Sequence, residues 1–66
     1  MSTVAIYVVR TEGENDMLTI NEHDGHFVLS GAHPPRFIKR AVEIMDLERF
    51  ILDSGLYEIL EVERYP

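Results

Sequence analysis

Val4–Val9 is an unbroken apolar, β-branched run, the pattern of a strand covered on both faces or nearly so. The segment TEGENDM that follows is rich in turn residues. Beyond it Leu18 and Ile20 alternate with Thr19 and Asn21, the period of two expected of a half-buried strand. Asp24-Gly25 signals a tight hairpin of type I′, because Gly tolerates the positive φ that this turn demands. A third strand, HFVLS, should run back beside the second. Gly31 then permits a turn, and Pro34-Pro35 removes ladder donors while pre-setting φ for a helix start. The spacing of Phe37, Ile38, Ala41, Val42, Ile44, Met45, Phe50, Ile51 and Leu52 predicts a helix from near Pro35. Asp53-Ser54-Gly55 closes it, with Gly55 as the left-handed cap. On this helix Lys39 and Glu43 are spaced for an i,i+4 pair. In the tail Leu60 and Val62 alternate with Glu61 and Glu63, which favours a fourth strand, with helix as the competing reading over 56–61.

These elements predict one α+β domain over residues 1–66, in the order β-β-β-α-β. The expected architecture is a three- to four-stranded, mainly antiparallel sheet with one helix on one face. A single helix covers a single face. Strand one, however, is apolar on both, with Val4, Ile6 and Val8 alternating with Ala5, Tyr7 and Val9. Tyr7 and Val9 are therefore the expected apolar contact residues for a second copy or a partner, since a contiguous exposed apolar patch marks an interaction site. The alternative is that the tail or a loop of the same chain covers them.

With 66 residues, of which 45% are apolar and 27% charged, the composition is that of a folded globule with a marginal core. The absence of cysteine excludes disulfides and thiolate metal sites. The apolar start is interrupted by Arg10 and has no basic leader, so neither a signal peptide nor a membrane span is expected. A soluble, cytoplasmic protein is the default.

Charge refines the picture. Twelve acids against six bases give a net charge of −6, which opposes direct binding to a phosphate backbone. Residues 11–35 carry Glu12, Glu14, Asp16, Glu22 and Asp24 with no Lys or Arg, whereas Arg36, Lys39 and Arg40 follow together. The five acids are the expected partner-binding face, drawn to a basic surface. The three bases would sit at a helix N-terminus, where cations oppose the dipole. They are expected to pair with Glu22 and Asp24 of the same chain, the alternative being that they anchor an acidic partner.

Candidate chemistry is thin. His23 and His26 bracket the Asp24-Gly25 turn and with Glu22 present two imidazoles and a carboxylate, ligands that suit zinc. His33 falls at the far end of the third strand, so the expectation is loop histidines and no metal, with a pH-sensitive contact as the remaining alternative. Glu12, Glu14 and Asp16 match the alternating acids of a calcium loop but lack its glycine after the third acid and its closing Glu. Ser30 and His33 sit in neither a nucleophile elbow nor a phosphate loop. No cofactor is implied, and an enzyme is disfavoured.

The segment FVLSGAHPPRFIKRAVEIMDLERFILDSGLYEIL, residues 27–60, resembles the closing strand–loop–helix part of STAS domains, the family of anti-sigma-factor antagonists. The resemblance covers about half of the chain. The remainder leaves no room for that fold's central strands and helices, and no phosphorylatable Ser stands in its expected loop, so no site residue or activity carries over. The expected function is a small acidic protein–protein interaction module that binds and modulates or inhibits a larger partner, a nucleic-acid-binding protein being one case. Small acidic inhibitors of phage or mobile-element origin, including anti-CRISPR-type proteins, fit this physical description. The alternatives are a homodimeric structural, assembly or regulatory protein pairing through its open sheet face, and a histidine metal-binding protein.

Overall fold

The computed structural model describes Ser2–Pro66. Its elements are β1 (Ser2–Thr11), β2 (Glu14–His23), β3 (His26–Ala32), β4 (Pro35–Ala41), α1 (Ile44–Asp53) and β5 (Glu58–Arg64). All strand pairings are antiparallel, in the order β4-β3-β2-β1-β5. The chain climbs through three successive hairpins to the β4 edge. The helix then carries it across one face to the opposite edge, where β5 pairs with β1.

Two of the hairpins turn on the same device. Glu12 and Gly13, and again Asp24 and Gly25, hold φ between +50° and +81°, the paired left-handed residues of a two-residue type I′ turn. The third hairpin turns on His33 and Pro34, joined by a cis peptide bond, with Ala32 paired to Pro35. A proline in cis at this position makes a type VI turn.

The sheet has five strands where the sequence predicts three to four, and the additional one is β4. Residues 35–41 form an edge strand, so the helix begins at Ile44, about two turns later than its apolar stripe implies. Pro35 opens this strand, at an edge position where its missing N–H is tolerated. The Lys39–Glu43 helical pair consequently does not exist. The strand–loop–helix order behind the STAS resemblance is also broken, because a whole strand stands between β3 and α1. The helix end is as expected: Ser54 donates its N–H to the Phe50 carbonyl at 3.0 Å, and Gly55 follows at φ +74°.

The core lies between the helix and one sheet face. Leu47 and Ile51, one helical turn apart, are fully buried against Ala5, Tyr7, Val9, Leu18, Ile20 and Leu29. Tyr7 and Val9 are therefore core residues beneath the helix, which corrects their assignment to the uncovered face. Bulges adjust what each strand presents. Leu29 pairs with Lys39 and Ser30 with Phe37, leaving Ile38 as the inserted residue. Ile38 packs with the core, and the Lys39 ammonium lies 5.5 Å from the centre of the Phe50 ring. Similarly Val4 is the inserted residue opposite β2 and packs with the core.

Below the helix, Glu48 gathers two partners on one oxygen. Tyr7 donates its hydroxyl to Glu48 Oε2 at 2.7 Å, and Arg64 donates Nε and Nη2 at 3.3 and 3.1 Å. Burial, then the hydrogen bond to Glu48, pushes the Tyr7 phenol up to about 12. Because the folded value lies above the unfolded one of 10.0, the associated stability is fully present below pH 10 and is lost as pH rises toward 12. Tyr7→Phe should cost about 1 kcal/mol at neutral pH. Denaturant unfolding at successively higher pH should show wild type losing stability faster than Tyr7→Phe above pH 10; parallel curves would contradict this placement.

Candidate functional site

Two surface features are candidates for function, and the first is a cleft at one end of the sheet. It has a volume of about 620 Å³ and lies between the β1–β2 turn, the β3–β4 turn and Leu56-Tyr57. At its base is Asp16, only 5% exposed and the one buried charged residue among those described. Asp16 Oδ1 accepts the backbone N–H of Met17 at 2.7 Å and of His33 at 2.9 Å. Arg36 Nη2 lies 3.1 Å from Oδ2. This is an ion pair by distance, but its N–H is not aimed at the oxygen, so Oδ2 has charge compensation without a directed hydrogen bond. Burial pushes the Asp16 carboxyl up, yet the Met17 N–H, the Arg36 guanidinium and the His33 N–H together hold it below its ordinary value. Arg36 Nη1 also donates to the Pro34 carbonyl at 2.8 Å, and the guanidinium occupies the space beside Gly31, where any Cβ would collide with it. Asp16 and Arg36, the two charges at the base of this cleft, are thus engaged in tying β4 to β2.

The second feature is the sheet face away from the helix. Strand alternation puts Ile6 and Val8 of β1, Met17 and Thr19 of β2, Val28 and Ser30 of β3, and Phe37 and Arg40 of β4 on it. Phe37 is 65% exposed and Met17 41%. On β5, Val8 pairs with Glu61 and Val9 with Ile59, so Leu60 is the inserted residue. Leu60 stays outside the core and is itself 41% exposed, which places it beside Glu61 on this face. Glu63 pairs with Ile6 and accepts the Tyr65 hydroxyl at 2.8 Å. The result is an apolar band with Arg40 along one edge and Glu61 and Glu63 along the other.

The five acids read from the sequence do not form one face. Glu12 and Glu14 line the cleft mouth and Asp16 is its buried base, while Glu22 and Asp24 lie at the far end of the ten-residue β2, about 30 Å away. The acids that share a surface are Glu58, Glu61 and Glu63 of β5, and their alternation with Ile59 and Val62 is the signal that could have found them. The three bases are also separated. Arg36 pairs with Asp16 rather than with Glu22 or Asp24, Lys39 sits over Phe50, and Arg40 has no ion-pair partner among the described residues.

His23 and His26 are a cross-strand pair with ring centres 5.8 Å apart, edge to face. His23 Nε2 lies 3.3 Å from Asp24 Oδ2. His33 lies in the turn at the other end of β3. Among the described residues no three His, Asp or Glu side chains converge as a metal ion would require. No described helix is long and apolar enough to cross a membrane. No protein-family model matches the chain, and neither does any curated protein or solved structure.

Proposed function

We propose that this protein is a non-catalytic protein–protein interaction module of regulatory or assembly type, and that it docks through the open face of its sheet. The observation that carries this reading is the apolar band of Ile6, Val8, Met17, Val28 and Phe37 on the face that the helix leaves uncovered. An exposed apolar patch of this kind, rimmed by charge, marks a contact surface.

The edges support the same reading by exclusion. Strand addition needs a flat, unguarded edge. The β4 edge begins with Pro35, bulges at Ile38 and carries Lys39 and Arg40; the β5 edge bulges at Leu60 and carries Glu58, Glu61 and Glu63. Both carry the features that discourage edge pairing, whereas the face between them is open. The acidic attraction to a basic partner, with an inhibitor of a nucleic-acid-binding protein as one case, moves in this reading from the hairpin acids to the β5 rim.

Photo-crosslinking tests it. A benzophenone amino acid at Met17 should give protein adducts in cells, whereas the same group at Met45, exposed on the helix, should give few. Equal yields, or none from Met17, would overturn the docking face.

A further inference from the structure

Resting on that docking face, we propose that its occupant is a second copy of this chain, packed face to face about a two-fold axis parallel to the strands. Such an axis sets the β4 edge of one copy over the β5 edge of the other, and β3 over β1, while β2 meets itself. The alternative axis, across the strands, would set each edge over its own like.

The parallel axis matches the face to itself in charge and in size. Arg40 has no ion-pair partner among the described residues of its own chain. In the pair it lies across from the Glu61 and Glu63 rim of the second copy. Arg40 stands level with Val28 and Asn21, and Glu63 with Ile6 and Thr19, one row of about 7 Å along the strands. That offset, and the roughly 10 Å between packed sheets, are within the combined reach of Arg and Glu side chains. The small residues Ser30 and Ala32 of β3 come over the branched Ile6 and Val8 of β1. Phe37, level with Ser30, Thr19, Ile6 and Glu63, comes over the β5 edge of the second copy one row of about 7 Å short of Glu61 and the exposed Leu60.

The area is adequate. Five strands about 4.8 Å apart, each about seven residues long at about 3.3 Å per residue, present a flat face of roughly 550 Å². The pleated and interdigitating surface is larger, near the roughly 800 Å² per partner of a standard interface. A chain of this size, with a marginal core, gains from covering it.

Net charge gives the proposal a signature. Two copies at −6 each repel at long range, and salt screens that repulsion over about 8 Å at physiological strength. Self-association should therefore tighten as salt rises from about 10 mM to about 150 mM, whereas attraction to a basic partner would weaken.

Sedimentation velocity of the purified full chain tests the pairing. At micromolar concentration and physiological salt the expected particle is two copies of the 7.6 kDa chain. Thr19→Lys sets like charges on the axis and should weaken association by about 100-fold or more, with the circular dichroism spectrum confirming that the variant folds. Arg40→Glu and Glu63→Arg should each weaken it by about 10-fold, and both together should restore it to within about 3-fold, because each swapped residue then meets its complement in the other copy. Met45→Lys on the helix should leave it unchanged. A monomer at all concentrations, or a dimer indifferent to Thr19→Lys and to the charge swaps, would overturn the proposal. A monomer whose Met17 position still crosslinks a different protein in cells removes the second copy and leaves the docking face; absence of any Met17 adduct removes both.

Discussion

Arg36→Ala should destabilise the fold by about 2–3 kcal/mol, because it strands the Asp16 carboxylate in the base of the cleft. Breaking a buried pair by removing one partner costs about 3–5 kcal/mol in general. The lower figure applies here because the Arg36 side chain is 33% exposed and water softens the loss, whereas that of Asp16 is 3% exposed. The signature of a stranded charge is its rescue by neutralisation. Asp16→Asn, placed in the Arg36→Ala background, keeps an oxygen for the Met17 and His33 N–H groups and removes the charge, so it should recover about half of the loss. Acid unfolding gives a second readout. The Asp16 carboxyl is depressed below 3.8, so its contribution is fully present above that pH and is lost as pH falls through the folded value. In denaturant titrations Asp16→Asn should be less stable than wild type at neutral pH, with the gap closing as pH falls below 3.8. A gap independent of pH would show that Asp16 acts through its shape alone.

Leu47→Ala should cost about 3 kcal/mol, the common value for truncating a fully buried leucine. Leu47 and Ile51 are the two helix residues fully buried against the sheet, so the cavity opens in the centre of the helix–sheet contact. For a chain of this length that loss approaches the whole folding free energy, about 3–5 kcal/mol. Thermal unfolding followed by circular dichroism should show a strongly lowered or absent transition. Leu52→Ala, exposed on the same helix, should shift stability by less than about 0.5 kcal/mol. Similar losses at both positions would contradict the packing of the helix.

The sequence makes the first half of this fold legible because its turns are specified by local chemistry. Asp24-Gly25 reads as a type I′ turn on residue type alone, and both residues hold the positive φ it needs. The alternation around Leu18 and Ile20 survives into the structure; that of the tail holds for Glu61, Val62 and Glu63 but breaks at Leu60, which the bulge sets beside Glu61. The fourth strand is obscured for identifiable reasons. Its bulge puts Ile38 and Lys39 toward the helix together, which breaks the period of two and imitates a helical stripe. Arg36 also faces inward, a charge at a core-side position that becomes sensible only once Asp16 is placed beneath it from β2. One clue is present in the chain itself: three cations at a helix N-terminus contradict the dipole, and the contradiction vanishes when those residues are strand.

The docking surface is half legible for a related reason. An apolar first strand implies that one of its faces needs a cover, but which face lies under the helix depends on long-range packing. Ala5, Tyr7 and Val9 go beneath the helix, leaving Ile6 and Val8 on the open side. The acids mislead in a similar way. Nearness in sequence groups Glu12 and Glu14 with Glu22 and Asp24, although the full length of β2 separates the two pairs.

Methyl NMR of the purified protein at millimolar concentration, with a soluble paramagnetic probe, reports directly whether the open face is covered. If a second copy covers the open face, the methyl groups of Ile6, Val8, Met17 and Val28 should be shielded, while those of Met45 and Leu52 on the helix relax strongly. Open-face methyls that relax as strongly as Met45 and Leu52 would show that no second copy covers the face.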